Sequence, residues 1–208
     1  MNPIDQILAA KIVAIVRLDA YERAVEVAQA LVAGGVNVLE FTLTGTGAIE
    51  AITAVRQALG KAACVGVGTV LRPEEAISAI DAGAQFVVTP ALRKPVIAAC
   101  VNRNVLVLSG GFTPTELLEA HEAGAALVKL FPARLGGPNY LKDVLAPLPF
   151  LKIVPTGGVS AANAREFLAA GAVALGIGGN LIAKQAVAAG AFDQITAAAR
   201  ECVIAVRE

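Results

Sequence analysis

Ala123-Gly124-Ala125-Ala126-Leu127-Val128-Lys129-Leu130-Phe131-Pro132 holds a helix end, a turn and a strand in one short stretch. Alanine-rich, helix-favouring residues lead up to Gly124. That glycine can take the left-handed conformation that stops a helix, and an apolar run follows at once. The same phrase occurs as Ala33-Gly34-Gly35-Val36, Ala82-Gly83-Ala84 and Ala170-Gly171-Ala172. The intervals between copies are too long for one helix-plus-strand unit and right for two, so further strands must lie between them.

Those strands are visible as apolar, β-type runs, which total eight: Ile12 to Val16, Val36 to Thr42, Cys64 to Thr69, Phe86 to Thr89, Val105 to Leu108, Ala126 to Leu130, Lys152 to Val154 and Val173 to Ile177. Most are continuously apolar rather than alternating, as expected for parallel strands covered on both faces. Helices are predicted between them, among them Tyr21 to Ala33, Pro73 to Ala82, Pro114 to Ala123 and Ala161 to Ala170. Thr113 before Pro114, with Glu116 three residues on, and Ser160 before Ala161 are capping signals. Eight strands alternating with helices indicate an α/β fold of the (β/α)8 TIM-barrel type with a parallel eight-stranded core. The 208 residues lie near the lower size of about 200 for that fold. A doubly wound sheet is the alternative, but it normally needs fewer strands. No linker or change of composition divides the chain, so residues 1–208 read as a single barrel domain.

Hydrophobic residues make up 56% of the chain and charged residues 16%, with 17 basic against 17 acidic side chains. A balanced charge argues against a nucleic-acid partner or an anionic membrane surface. No apolar stretch reaches the roughly 18 uninterrupted residues of a membrane span, and Met1-Asn2-Pro3-Ile4-Asp5 has no basic region of a secretory signal. Cys64, Cys100 and Cys202 are far apart, without metal-binding or redox spacing, and read as small buried hydrophobes in a reducing cytoplasm. His121, on the helix after Thr113 and beside Glu122, reads as a solvated surface residue. With no other histidine and no carboxylate cluster, a metal-dependent mechanism is not expected.

Lys129 is the only charge in its apolar run. If the strand is buried, desolvation pulls the amine below its reference pKa of ~10.4, and a neutral amine can form a Schiff base with a carbonyl. The ordinary alternative is a strand-end lysine that snorkels to solvent. Barrel enzymes collect their chemistry at the C-terminal strand ends. Those ends read Arg17; Glu40 with Thr42 and Thr44; Thr69; Thr89-Pro90; Ser109-Gly110; Lys129; Thr156-Gly157-Gly158; and Gly178-Gly179-Asn180. In Val36 to Thr42, alternation puts Val38, Glu40 and Thr42 on one face and Leu39 and Phe41 on the other, so Glu40 points inward if Leu39 and Phe41 face helices. An inward Glu near an inward Lys is either a structural ion pair or a general acid/base. The glycine loops after the seventh and eighth strands each lead into a helix, a common phosphate site in barrels, and neither is a nucleotide-binding fingerprint.

With these residues in hand, the chain resembles the class I 2-keto-3-deoxy-6-phosphogluconate (KDPG) and 4-hydroxy-2-oxoglutarate (KHG) aldolases. The matching phrases are Lys11-Ile12-Val13-Ala14-Ile15-Val16-Arg17, Ala30-Leu31-Val32-Ala33-Gly34-Gly35-Val36, Leu39-Glu40-Phe41-Thr42-Leu43, Gly66-Val67-Gly68-Thr69-Val70, Thr113-Pro114-Thr115-Glu116, Val128-Lys129-Leu130-Phe131-Pro132-Ala133 and Pro155-Thr156-Gly157-Gly158-Val159. The resemblance implies that Lys129 is the Schiff-base lysine and Glu40 the general acid/base. It places Thr69 and Pro90 beside a pyruvyl moiety and Gly157 and Gly158 at a substrate phosphate. Arg17, Thr44, Phe131, Thr156, Gly178, Gly179 and Asn180 complete the expected contacts to a small 2-keto acid substrate. It further implies a homotrimer that needs no metal or organic cofactor. Three positions depart from the family pattern: Thr44 where many members have Arg, Ser109-Gly110 for Pro-Gly, and Asn180 for Ser. Arg17 is the candidate to supply the missing anion contact. Two other functions fit the same barrel: a phosphosugar isomerase or epimerase working without an imine, and a non-catalytic oligomeric scaffold.

Overall fold

In the computed structural model, which describes residues 2–207, a short helix α1 (Pro3–Ala10) leads into β1 (Ile12–Val16). There follow α2 (Ala24–Ala33), β2 (Val38–Thr42), α3 (Ala48–Leu59), β3 (Cys64–Gly68), α4 (Pro73–Asp81), β4 (Phe86–Val88) and α5 (Lys94–Asn102). The second half continues through β5 (Leu106–Gly111), α6 (Pro114–Glu122), β6 (Leu127–Leu130), α7 (Gly137–Leu145), β7 (Ile153–Pro155), α8 (Ala164–Ala169) and β8 (Leu175–Ile177). Helices α9 (Lys184–Ala189) and α10 (Phe192–Arg207) close the described chain. Every strand pairing is parallel, and the order is β7-β6-β5-β4-β3-β2-β1-β8. A bridge between Thr156 and Gly176, and a 3.0 Å bond from the Val173 N–H to the Ile153 carbonyl, bring β7 to β8 and close the (β/α)8 barrel. Among the described residues no helix is long and apolar enough to cross a membrane.

The repeated glycine phrase does what its chemistry predicts. Gly35, Gly83, Gly124 and Gly171 all have positive φ, between 92° and 108°. After each, the next N–H reaches back past the glycine to the helix: Val36 to Leu31, Ala84 to Ala79, Ala125 to Ala120 and Ala172 to Phe167, at 2.9–3.0 Å. These are Schellman closures, which satisfy helix-end carbonyls and turn the chain into the next strand. The same closure ends α5 without a glycine. Asn104 takes φ 53° and the Val105 N–H donates to the Cys100 carbonyl. Asn tolerates this conformation better than other non-glycine residues.

Two apolar layers follow from strand alternation. Val16, Leu39, Phe41, Val65, Val67, Leu130 and Ile177 pack outward against the helices. Val13, Val38, Cys64, Phe86, Leu108, Leu127 and Val154 fill the barrel's interior. Ile7 of α1, fully buried, joins this inner cluster with Ile4 and Leu8 beside it, so the first helix plugs the N-terminal end of the barrel. A Cβ at Gly66 would lie 2.5 Å from the Phe86 ring, so that glycine is what admits a phenylalanine to the interior. All three cysteines are free and buried, as expected; burial pushes the Cys64 and Cys100 thiols up to about 11.

Several boundaries differ from the sequence reading. β5 runs on to Gly111, so Ser109 and Gly110 are strand residues rather than a loop. The helix expected from Tyr21 starts at Ala24, because Tyr21 turns inward to bond the ends of β1 and β2. The helix expected from Ala161 opens as a single 3-10 turn (Ala161–Asn163) before α8. His121 is half-buried rather than freely solvated, its ring centroid 5.4 Å from that of Phe150. The capping box at α6 is present: the Thr113 N–H donates to the Glu116 carboxylate at 2.8 Å, and the Glu116 N–H to Thr113 Oγ1 at 3.3 Å.

A clean test of the repeated turn is Gly83→Ala. The nearest atom to the new methyl is 3.5 Å away, so the cost is backbone strain at φ 104° rather than a clash. Urea unfolding should show a loss of about 1–2 kcal/mol.

Candidate active site

Glu40 and Lys129 enter the barrel from different strands and end up inside it. Glu40 lies in β2 between Ile15 of β1 and Gly66 of β3; Lys129 lies in β6 between Gly110 of β5 and Val154 of β7. Alternation with the helix-facing Leu39, Phe41, Val128 and Leu130 sends both side chains inward, as the Val38-Glu40-Thr42 pattern predicted. They are 2% and 3% exposed, so Lys129 does not snorkel. Space for the carboxylate comes from Gly68, where a Cβ would fall inside contact distance of Glu40 Oε1. That oxygen is buried and has no hydrogen-bond partner. Lys129 Nζ stands 5.0 Å from the centre of the Phe131 ring.

Burial dominates the electrostatics of both groups. It raises the Glu40 carboxyl above the ordinary carboxylate range, against the pull of the Lys129 and Arg17 charges. It lowers the Lys129 amine below the ordinary lysine range, against Glu40 and with help from Arg17. Each is thereby pushed towards its neutral form, the condition for an amine nucleophile and a carboxyl that can both give and take a proton.

Beside this pair opens a cleft of about 330 Å³, walled by Ile15, Arg17, Phe131, Arg134, Thr156, Gly157, Gly158, Val159, Gly176, Gly178, Gly179 and Asn180. It brings together eight of the expected contacts: Arg17, Phe131, Thr156, Gly157, Gly158, Gly178, Gly179 and Asn180. Phe131 is the shared wall between cleft and lysine. Thr44, Thr69 and Pro90 are not part of it. They follow β2, β3 and β4, and the strand order sets those loops across the barrel mouth from β7 and β8. Thr44 is exposed, its Oγ1 2.9 Å from that of Thr42. Thr69 and Pro90 are half-buried, and Thr69 has φ 60°, a backbone conformation that costs a β-branched residue energy and recurs at functional sites.

Three residues of the mouth escaped the sequence reading. Tyr21, buried, accepts the Thr42 N–H at 3.1 Å and has its hydroxyl 2.8 Å from the Val16 carbonyl, tying together the strand ends that carry Arg17 and Glu40. Asn163 accepts the Ser160 N–H and donates to the Gly158 carbonyl, each at 2.9 Å, which shapes the loop after β7. Arg134 lies on the cleft wall. Its position just beyond Phe131-Pro132 was a readable signal, since a charged residue in a strand-end loop of a barrel faces the mouth. The Ser160-to-Asn163 spacing of a capping box was a local signal for Asn163, whereas nothing local marked Tyr21, which reaches the separate ends of β1 and β2.

Comparison with known proteins agrees with this geometry. The family model described as "KDPG and KHG aldolase" matches residues 4–198. The KHG/KDPG aldolase of Escherichia coli K12 is 40% identical over 194 residues, covering 92% of this chain and 90% of that protein. The 2-dehydro-3-deoxy-phosphogluconate aldolase of Dickeya dadantii is 39% identical, covering 96% and 94%. Among solved structures, KDPG aldolase from Legionella pneumophila, with pyruvate captured at low pH as a covalent carbinolamine intermediate, superposes with a TM-score of 0.87 at 28% identity, covering 93% of this chain and 95% of that one. The fold and these relatives together define an α/β-barrel lyase of the aldolase class. The chain belongs to the KDPG and KHG aldolase family.

Two measurements probe the buried pair. Gly68→Ala should displace the Glu40 carboxylate and cut aldol cleavage by about 10²-fold, with Glu40's surroundings otherwise intact in a crystal structure. With Lys129 as the expected nucleophile, the rate of pyruvate trapping should rise with pH and level off below the ordinary lysine range, because a free amine is the form that adds to a carbonyl. Glu40→Gln removes the negative charge that holds the lysine's pKa up, so the midpoint of that profile should move to lower pH.

Proposed function

We propose that this chain is a class I aldolase that cleaves 2-keto-4-hydroxy acids, with 2-dehydro-3-deoxy-6-phosphogluconate as the leading substrate and 4-hydroxy-2-oxoglutarate as a second. The observation that carries the reading is Lys129: an amine inside a barrel, 3% exposed, with its pKa driven down by burial and a carboxyl of raised pKa in the same interior. Neutral Nζ adds to the C2 ketone, and loss of water gives an iminium ion. The electrons of the C3–C4 bond flow into that cation as Glu40 takes the C4 hydroxyl proton, which releases an aldehyde and leaves an enamine on Lys129. Protonation at C3 and hydrolysis then return pyruvate and the free amine. Covalent catalysis replaces an unstabilised carbanion by a neutral enamine.

Across the mouth, Thr69 and Pro90 are assigned to the pyruvyl end, with Thr44 on the rim beside them. Arg17, Phe131, Thr156, Gly157, Gly158, Gly178, Gly179 and Asn180 are assigned to the aldehyde end. Two features support the second assignment. No acidic side chain lines the cleft, and none of the N–H groups of Gly157, Gly158, Gly179 and Asn180 donates to a backbone carbonyl among the described residues. Such N–H groups form an anion cradle. No metal or organic cofactor takes part in these steps. Assembly as a cytoplasmic homotrimer belongs to the same proposal; exposed Leu135 and Phe150 offer apolar area for a subunit contact.

Borohydride reduction in the presence of pyruvate tests the chemistry. The expected result is a pyruvate-derived mass increase on Lys129, lost in Lys129→Ala together with roughly 10⁴-fold or more of kcat. An adduct on another residue, or no adduct, would falsify the imine. Light scattering at a single-subunit mass would overturn the trimer.

A further inference from the structure

Two arginines, Arg17 and Arg134, line the cleft, and the family resemblance names only Arg17. In the closed strand order β6-β7-β8-β1, the glycine loops after β7 and β8 lie between the loop that carries Arg134 and the strand end that carries Arg17. The two arginines therefore flank the anion cradle. Of the ion pairs among the described residues, none involves either of them. Both are exposed at the mouth.

The backbone around Arg134 is held in place. The Ala133 N–H donates to the Thr156 carbonyl at 2.8 Å, and the Arg134 N–H to the Gly157 carbonyl at 2.9 Å. These bonds zip the loop after β6 onto the loop after β7. Gly158 lies directly under the arginine: a Cβ there would sit 2.5 Å from the Arg134 Cβ. Gly158 thus leaves room for the base of the Arg134 side chain beside the loop after β7. The opposite side of the mouth, after β2, holds the uncharged Thr44.

We propose that Arg134 and Arg17 clamp the distal anionic group of the substrate from the two sides of the glycine loops, and that Arg134 makes the enzyme select substrates whose aldehyde half ends in a phosphate. The inference deepens the aldolase reading and rests on it. A planar guanidinium forms two parallel hydrogen bonds with a phosphate, and a second one on the far side neutralises the remaining charge of the dianion. Arg134 acts on substrate that is already committed to Lys129 at its other end, so its contribution falls on the phosphorylated aldehyde half alone.

The test compares Arg134→Ala, Arg134→Lys and wild type on 2-dehydro-3-deoxy-6-phosphogluconate and on its unphosphorylated counterpart. Borohydride trapping of pyruvate is measured alongside. Relative to its own rate on the unphosphorylated compound, Arg134→Ala should lose roughly 10- to 100-fold in kcat/KM for the phosphorylated one. Arg134→Lys should recover part of that loss, because it keeps the charge and gives up the fork. Added salt should shrink the wild-type preference more than the preference of Arg134→Ala. An equal loss on both substrates, or a loss of pyruvate trapping in the variant, would make Arg134 a structural residue and overturn the clamp. So would an unchanged preference for the phosphorylated substrate. Failure of the wild-type protein itself to trap pyruvate would instead remove the aldolase reading, which keeps the two failures apart.

Discussion

Placing a carboxyl and an amine together inside a closed barrel is the constraint around which the rest of this structure is arranged. Neither group keeps its full hydration there, and taking charges out of water costs several kcal/mol per ion before any attraction between them is counted. The protein meets that cost partly by letting both groups drift towards neutrality, which is also what makes them reactive. The lower interior is filled by Val13, Val38, Phe86, Leu127 and the α1 residue Ile7, an apolar plug beneath the pair. Glycine does the complementary work above. Gly66 admits Phe86, Gly68 admits the Glu40 carboxylate, and Gly176 admits Thr156, whose Oγ1 would lie 2.2 Å from an added Cβ. A closed barrel has a fixed interior volume, so each large or polar side chain in it requires a small neighbour.

Around this pair the mouth divides by strand number. The half built from β2, β3 and β4 offers hydroxyls, a proline and the left-handed Thr69. The half built from β6, β7, β8 and β1 offers glycines and two arginines. On the proposed aldolase reading, the division orients a substrate with anionic groups at both ends across Lys129. Residues outside the cleft lining maintain its shape: Tyr21 joins the ends of β1 and β2, and Asn163 joins Ser160 to Gly158. Thr89 Oγ1 accepts the Gly110 N–H at 3.0 Å and lies 2.7 Å from the Ala91 carbonyl, which anchors the loop carrying Pro90.

The fold was legible in the sequence because its signals are local. A glycine that stops a helix and an apolar run that starts a strand each act within a few residues, and their repetition is enough to count eight strands. The errors also have local causes. Asn104 closes α5 in the way glycine closes the other helices, a substitution the glycine pattern does not show. Tyr21 has helix-like neighbours but finds better partners in Val16 and Thr42. Ser109-Gly110 resembles a turn, yet strand pairing with Val128 and Lys129 holds it in β5.

Chemical identity at the strand ends was equally legible: Lys129, Glu40, Arg17 and the glycine loops stand where a barrel puts its working groups, and alternation alone turned Glu40 inward. The three-dimensional arrangement decided what no linear pattern carries. Only strand closure sets β3 and β4 opposite β7 and β8, and β2 opposite β6, and so separates Thr44, Thr69 and Pro90 from the arginine-lined cleft. Only burial in the finished barrel moves the Lys129 and Glu40 pKa values, because desolvation depends on every neighbour at once. Only the zipping of the β6 loop onto the β7 loop brings Arg134 to the cleft beside Gly157 and Gly158. The sequence by itself determined which residues could react; the closed barrel determined which of them meet, since proximity between strand ends far apart in the chain is a property of closure alone.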